Sequence, residues 1–224
     1  MVRVERILFL VALVALGWYA TARGSVMFYQ ASQNRQLEQL RLERNDTFLP
    51  AAPAVAPDAP GLAELPGEAS RASVPPAGPR SREAEVESSR RAATRGLIGR
   101  IDIPRLGISA IVSAGVDDRT LRRAVGHVPG TALPGDAGNS ALAAHRDTFF
   151  GPLQWARTGD RIRVRTPDGD VNYVVSDTRV VEPTDLSVLA STPDSTLTLI
   201  TCYPFNYVGP APQRFIVRAR AVDR

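Results

Sequence analysis

The sequence predicts an all-β fold, a barrel or sandwich, over residues 96–224. Three observations carry this. Arg161-Ile162-Arg163-Val164-Arg165-Thr166 alternates polar and apolar residues without a break, the period of a strand with one face buried. Pro167-Asp168-Gly169-Asp170 follows at once, a dense turn signal. Runs of similar short length recur on either side, parted by Gly and Pro. In chain order the expected strands are Arg100–Ile103, Ile108–Val112, Asn139–Ala144, Arg161–Thr166, Val171–Val181, Ser195–Cys202 and Arg214–Val222. Asp117 is placed to cap a short helix through Ala124, and Thr184 to cap another through Ala190. About 129 residues, counted from 96 to 224, suffice for one domain with a sizeable core.

Upstream the texture differs. Residues 1–29 read as an N-terminal membrane anchor. The stretch from Ile7 to Ala22 carries no charge between Arg6 and Arg23. As a helix it spans about 24 Å, slightly short of a hydrocarbon core of about 30 Å. Snorkelling of the flanking arginines closes the gap. Ala20-Thr21-Ala22 has the small-x-small pattern of a signal-peptide cleavage site, which is the competing reading. The return of apolar residues at Val26-Met27-Phe28-Tyr29 favours an uncleaved anchor. Arg3 and Arg6 would hold the amino terminus in the cytoplasm and put the rest of the chain outside, in the periplasm or at the cell surface.

Residues 30–95 read as a spacer. Gln30 to Asn45 is polar and helix-prone, with Leu37, Leu40 and Leu42 as its large apolar points, a membrane-proximal helix or the start of a stalk. Eight prolines fall between Pro50 and Pro79, and repeated proline removes backbone donors and favours extended geometry, so no core forms there. Ser81 to Arg95 is charged.

The net charge is +4, and the chain has no lysine, so every basic side chain is arginine. These arginines are scattered through the spacer and over alternating strand positions, with no aromatic-interleaved basic patch, which argues against nucleic acid as a partner. One cysteine and two histidines do not make a zinc cluster. Asp117-Asp118 and Asp168/Asp170 are too sparse to hold calcium and are better explained by turn chemistry. No metal or other cofactor is expected.

The chemistry centres on Cys202, the only cysteine, at the end of Thr196-Leu197-Thr198-Leu199-Ile200-Thr201-Cys202. A lone thiol cannot staple the fold, so it is either a small buried hydrophobe or a nucleophile. A nucleophilic cysteine needs a base or a cationic neighbour, because the thiolate is the reactive form. His127 and His145 are the candidates. His145 lies where an apolar strand gives way to the polar loop Arg146-Asp147-Thr148, a place from which a fold can present a side chain; His127 lies in the turn-rich Gly126-His127-Val128-Pro129-Gly130. Arg214 opens the strand that follows Cys202. It can donate hydrogen bonds to a developing oxyanion or form a surface salt bridge.

Thr198-Leu199-Ile200-Thr201-Cys202 resembles the TLxTC signature of the sortases, membrane-anchored cysteine transpeptidases of bacteria. His145 in His-Arg-Asp-Thr and Arg214 in Gln213-Arg214-Phe215-Ile216-Val217 resemble the family's catalytic histidine and arginine, in the family's order. Gly130-Thr131-Ala132-Leu133-Pro134-Gly135 and Cys202-Tyr203-Pro204-Phe205 are most similar to class D. The resemblance covers residues 96–224. It implies an eight-stranded β-barrel with Cys202, His145 and Arg214 as catalytic residues, and it selects His145 over His127, which becomes structural. By analogy Thr201 supports substrate or the oxyanion site, and Asp147 is a candidate partner of His145 or Arg146. The implied reaction cleaves an LPxT-like C-terminal sorting signal of a secreted protein through a thioester and passes the acyl group to an amine of peptidoglycan or another protein. An endopeptidase that only hydrolyses, and a silent binding domain with Cys202 merely buried, are the rivals.

Overall fold

Eight strands pair edge to edge and close on themselves. They are β1 (Leu97–Ile103), β2 (Ile108–Ala114), β3 (Val125–His127), β4 (Asn139–Ala143), β5 (Arg161–Thr166), β6 (Gly169–Val181), β7 (Thr196–Tyr203) and β8 (Gln213–Val222). Their order around the barrel is β1-β2-β3-β4-β7-β8-β6-β5, with β5 returning to β1. β2–β3 and β4–β7 are parallel and the other pairs antiparallel. The computed structural model describes residues 2–47 and 96–222. The Pro/Ala-rich stretch and the charged segment after it, both expected in the spacer, lie outside the described residues.

Alternation decides which side chains fill the barrel. Ile162 and Val164 of β5, Leu197 and Leu199 of β7, and Val217 and Ala219 of β8 belong to one buried cluster. Arg161 and Arg163, at the intervening positions of β5, are exposed. At the β1–β5 seam the two backbones come close. A Cβ built on Gly99 would stand 2.2 Å from the Arg165 carbonyl oxygen, so only glycine fits there.

The apolar run of β2 does not alternate, and the reason is outside the barrel. Val112 faces the interior cluster, whereas Ile111 packs outward with Leu97 and Ala124. Both faces of this wall are covered. The cover is α1 (Val2–Thr47), a single helix whose Leu37 has 0% exposure against those three residues.

Polar contacts fix the helix along the same wall. Ile111 N–H donates to Gln30 Oε1 at 2.8 Å, and Gln30 Nε2 donates to the Arg123 carbonyl at 2.6 Å. Tyr29 meets the Ser113 hydroxyl at 3.1 Å. At the far end Arg41 pairs with Asp170 at 2.7 Å, and Arg44 donates to Asp168 and to the Pro167 carbonyl. The segment from residue 30 expected as a membrane-proximal helix or stalk is thus helical and lies on the barrel. Among the described residues no helix is long and apolar enough to cross a membrane. Most side chains of the Ile7–Ala22 run are outside the described residues.

Two short expected helices appear in reduced form. Asp117 caps α2 (Asp118–Leu121) by accepting from the Arg119 and Thr120 amides. The second is a 3₁₀ turn, Leu186–Leu189, capped by Asp185 rather than by Thr184.

Candidate active site

The site is laid out by register. On β8, Arg214 stands directly opposite Cys202 of β7, and the preceding even-numbered pair, Ile200 and Ile216, is also matched. Directly opposed residues of an antiparallel pair have Cα atoms about 4.5–5.5 Å apart and point to the same face. On the other side β4 runs parallel to β7 with Ala143 beside Ile200. The pairing extends one bond further, Ala144 N–H to the Ile200 carbonyl at 3.2 Å. His145 lies two residues past Ala143, as Cys202 lies two past Ile200. His145 is therefore carried on the segment that leaves β4 beside the end of β7.

Parity sets the face. Leu142, Ala144, Leu197, Leu199, Val217 and Ala219 point into the barrel core. The alternate positions therefore form an outer face across β4, β7 and β8. Two rows are paired across all three strands, Ala141–Thr198–Arg218 and Ala143–Ile200–Ile216; at the edge Cys202 pairs with Arg214, and His145 follows two residues after the end of β4. Cys202, His145 and Arg214 are each half-buried, open enough to meet a substrate. The floor next to them, the row Ala143–Ile200–Ile216, is small or aliphatic, suited to an extended peptide with apolar side chains.

Each end of this face is fixed by named contacts. At the far end Asn139 Nδ2 donates to the Val188 and Ala190 carbonyls of the 3₁₀ turn, at 2.8 and 3.1 Å. Thr198, the first residue of the signature run, donates to Asn139 Oδ1 at 2.7 Å and is fully buried. Arg218 Nη2 also donates to the Val188 carbonyl, at 3.2 Å. The 3₁₀ turn is thereby bolted as a wall beside the floor. At the near end Thr201 donates to the Ala144 carbonyl at 2.8 Å. That carbonyl precedes His145, whose own carbonyl accepts from the Phe150 amide at 3.2 Å.

These placements sort the candidates. Cys202 and Arg214 are directly opposed at the end of β7 and β8, and His145 lies just past β4, the strand on the other side of β7. Thr201 was expected at the substrate or oxyanion site. Its side chain is 2% exposed and its hydroxyl is committed to Ala144, so its observed contact positions the histidine segment. Asp147 is exposed and, among the described residues, has no hydrogen bond or ion pair to His145 or Arg146. His127 is elsewhere. It ends β3 opposite Leu142, is 7% exposed, and its Nε2 lies 2.8 Å from the Ala132 carbonyl and 3.2 Å from Thr131 Oγ1. Burial pushes its pKa down, against a smaller opposing effect of the Ala132 carbonyl.

Arg214 is oriented by main chain. Its Nη1 donates to the Gln213 carbonyl at 2.9 Å and the Ala211 carbonyl at 3.2 Å. Among the described residues it has no ion pair. Nη2 and Nε remain able to donate to an oxygen developing near Cys202. Tyr203, Phe205 and Phe215 pack edge-on or stacked at ring separations of 5.3–6.3 Å and support the floor of the β7–β8 loop. Among the described residues no group of three or more His, Cys, Asp or Glu is arranged to hold a metal ion.

Sequence reasoning did not find Asn139, Arg218 or Arg146. In a chain whose basic residues are all arginine, nothing in composition separates a structural arginine from a solvated one.

Comparison with known proteins agrees with this architecture. The sortase domain family matches residues 101–222. Sortase D of Bacillus subtilis is 31% identical over 141 residues, covering 62% of this chain and 71% of that protein. Sortase A of Listeria monocytogenes is 30% identical over 110 residues, 47% of this chain and 49% of the relative's length. Among solved structures, a Clostridium perfringens sortase D5 transpeptidase aligns with a TM-score of 0.56 at 26% identity, covering 63% of this chain and 89% of that one.

Proposed function

Because this chain belongs to the sortase family and is most like class D, we propose that it is a cysteine transpeptidase that cuts an LPxT-like sorting signal and joins the product to an amine. The observation that carries this is Cys202 of β7 directly opposite Arg214 of β8, with His145 just past the end of β4, the strand paired to the other edge of β7. The Cys202 thiolate attacks the carbonyl of the threonine in the signal. The carbonyl oxygen takes the negative charge and accepts hydrogen bonds from Arg214. The C–N bond then breaks, with the imidazolium of His145 giving its proton to the departing amine. A thioester on Cys202 remains. The acceptor amine loses a proton to His145, attacks the thioester and releases the thiolate. Attack by water gives the hydrolysed protein instead.

The substrate's apolar residues upstream of the scissile bond lie beside Ala143 and Ile200, the half-buried positions next to Cys202 on this face. Substrates are secreted proteins with a C-terminal signal, and acceptors are amines of peptidoglycan or of another protein. The apolar run Ile7–Ala22, flanked by Arg3, Arg6 and Arg23, supports a single-pass anchor with the barrel outside the cytoplasmic membrane.

The test is mass spectrometry of the full chain, in detergent, with an LPxT-type peptide and excess amine. An amide-linked peptide–amine product, and a thioester adduct absent from Cys202→Ala, are expected. Hydrolysed peptide alone would leave an endopeptidase. No adduct, with Cys202 resisting a small methanethiosulfonate, would leave a silent domain.

A further inference from the structure

Arg146 follows His145 directly and does not face the floor of the site. Its guanidinium spans to the β7–β8 loop, residues 204–212, and meets three main-chain carbonyls there. Nη1 donates to Pro204 at 3.1 Å, and Nη2 donates to Tyr207 at 2.6 Å and Gly209 at 3.0 Å. The group also lies 5.9 Å from the centre of the Tyr207 ring. No carboxylate shares it among the described residues, and neighbouring Asp147 is turned to solvent. One planar fork thus ties the histidine segment to a loop that starts two residues after Cys202 and ends just before Gln213-Arg214.

Phe205 anchors the start of that loop on Tyr203, Phe215 and the core, and beyond it the loop has little else to hold it among the described residues. Asn206 to Pro210 are exposed, with Val208 at 94% exposure. Yet its last part does a specific task, because the Ala211 carbonyl accepts from Arg214 Nη1. The contacts run in series, from Arg146 to the carbonyls of 204–209, along the loop to Ala211, and from Ala211 to the guanidinium of Arg214.

We propose that Arg146 is a positioning residue for the reaction, setting the aim of Arg214 by clamping the β7–β8 loop to the histidine segment. This rests on the transpeptidase reading. Lysine cannot substitute, because a single ammonium lacks the fork needed to reach three carbonyls in different directions. The clamp acts when charge develops on the oxyanion, so its loss falls on turnover more than on substrate binding.

The test uses the full chain in detergent with Arg146→Lys, Arg146→Gln, Arg214→Ala and the Arg146→Gln/Arg214→Ala double variant. Three readouts are needed: steady-state kinetics on an LPxT-type peptide, backbone amide exchange, and the rate of Cys202 modification by a small methanethiosulfonate. Both single Arg146 variants should lower kcat by about tenfold or more with KM within about threefold. Exchange over 204–211 should speed up while β4, β7 and β8 stay protected. In the Arg214→Ala background the Arg146→Gln loss should shrink to under about threefold, since the two act through one contact chain. Multiplicative losses in the double variant, or unchanged exchange over 204–211, would overturn the proposal, and so would full activity in the lysine variant. If the unaltered chain modifies at Cys202 but turns over no peptide, the transpeptidase reading has failed, and the Arg146 proposal with it. The exchange data would then still report separately whether the clamp exists.

Discussion

Leu37→Ala isolates the contact that fastens α1 to the barrel. Leu37 is fully buried between the helix and Leu97, Ile111 and Ala124. Truncating a buried leucine to alanine costs about 2–5 kcal/mol, the lower values applying where neighbours can close the gap. This site lies on the outer wall under one helix, which can settle inward, so about 2.5 kcal/mol is the working figure. Alanine is at least as good a helix former as leucine, so none of the loss comes from the helix itself. With a urea m-value of about 2 kcal/mol/M, the midpoint should fall by about 1.2 M. The assay is urea unfolding of the full chain in mild detergent, followed by far-ultraviolet circular dichroism. Leu42→Ala is the control, because Leu42 is 62% exposed on the same helix and should change stability by less than about 0.5 kcal/mol. Equal midpoints for the two variants would refute the reasoning, since α1 would then lie outside the cooperative unit of the barrel.

Four further expectations follow from single contacts. Arg214→Lys should lower kcat by about a hundredfold, because a point charge does not reproduce the guanidinium fork at the oxyanion; near-normal turnover would sink the oxyanion role. Thr201→Val should destabilise by about 1–3 kcal/mol and slow turnover, whereas Thr201→Ser keeps the bond to Ala144 and should match the parent; equal behaviour of the two would remove the positioning role. Gly99→Ala puts a carbon against the Arg165 carbonyl and should cost about 2 kcal/mol or more, read as a lowered Tm with β1–β5 amides exchanging faster; an unchanged Tm counts against the seam geometry. His127 has a folded pKa below its unfolded value of about 6.5, so its contribution to stability is complete above that value and is lost as pH falls through the folded one. The His127→Gln variant should therefore show a flatter fall in Tm on acidification, and identical slopes would show that the ring does not titrate on unfolding.

Much of the barrel is legible because its strands carry local signals. β5 shows strict alternation ending in a four-residue turn, and β6, β7 and β8 follow from similar patterns. β3 was not found. Its Val125-Gly126-His127 is too short for a period, and Gly126 reads as a turn, although a Cβ there would collide with the Gly115 carbonyl at 2.3 Å. The non-alternating run at β2 was visible, but its cause, a helix from seventy or so residues upstream covering Ile111, is a tertiary fact without local trace. The same division holds at the site. Cys202 and His145 are chemically distinctive in a chain with one cysteine and two histidines, whereas Arg214, one arginine among many, is marked only by the motif around it. Thr201 was picked out by its place beside the nucleophile, but only the fold shows that its hydroxyl turns inward. Asn139 and Arg146 act through main-chain carbonyls, which every residue has, so nothing in their sequence context marks them.

The docking of α1 changes what the Pro/Ala-rich stretch can do. Arg44 is moored at the Pro167–Asp168 turn, and Gly96 enters β1 on the same wall, so both ends of the intervening segment belong to one body. On the proposed anchoring, the length of that stretch would therefore not set the distance between bilayer and enzyme. Adding or deleting residues within the stretch would leave the catalytic edge at the same altitude, and each doubling of its length costs only about 0.6 kcal/mol of closure entropy. If Ile7–Ala22 is embedded, the altitude is fixed by the helical residues from Ala22 to Tyr29, about 10 Å at 1.5 Å per residue. On the proposed anchoring, the enzyme would work close against the lipid headgroups, at the level where a substrate held by its own tail helix would emerge.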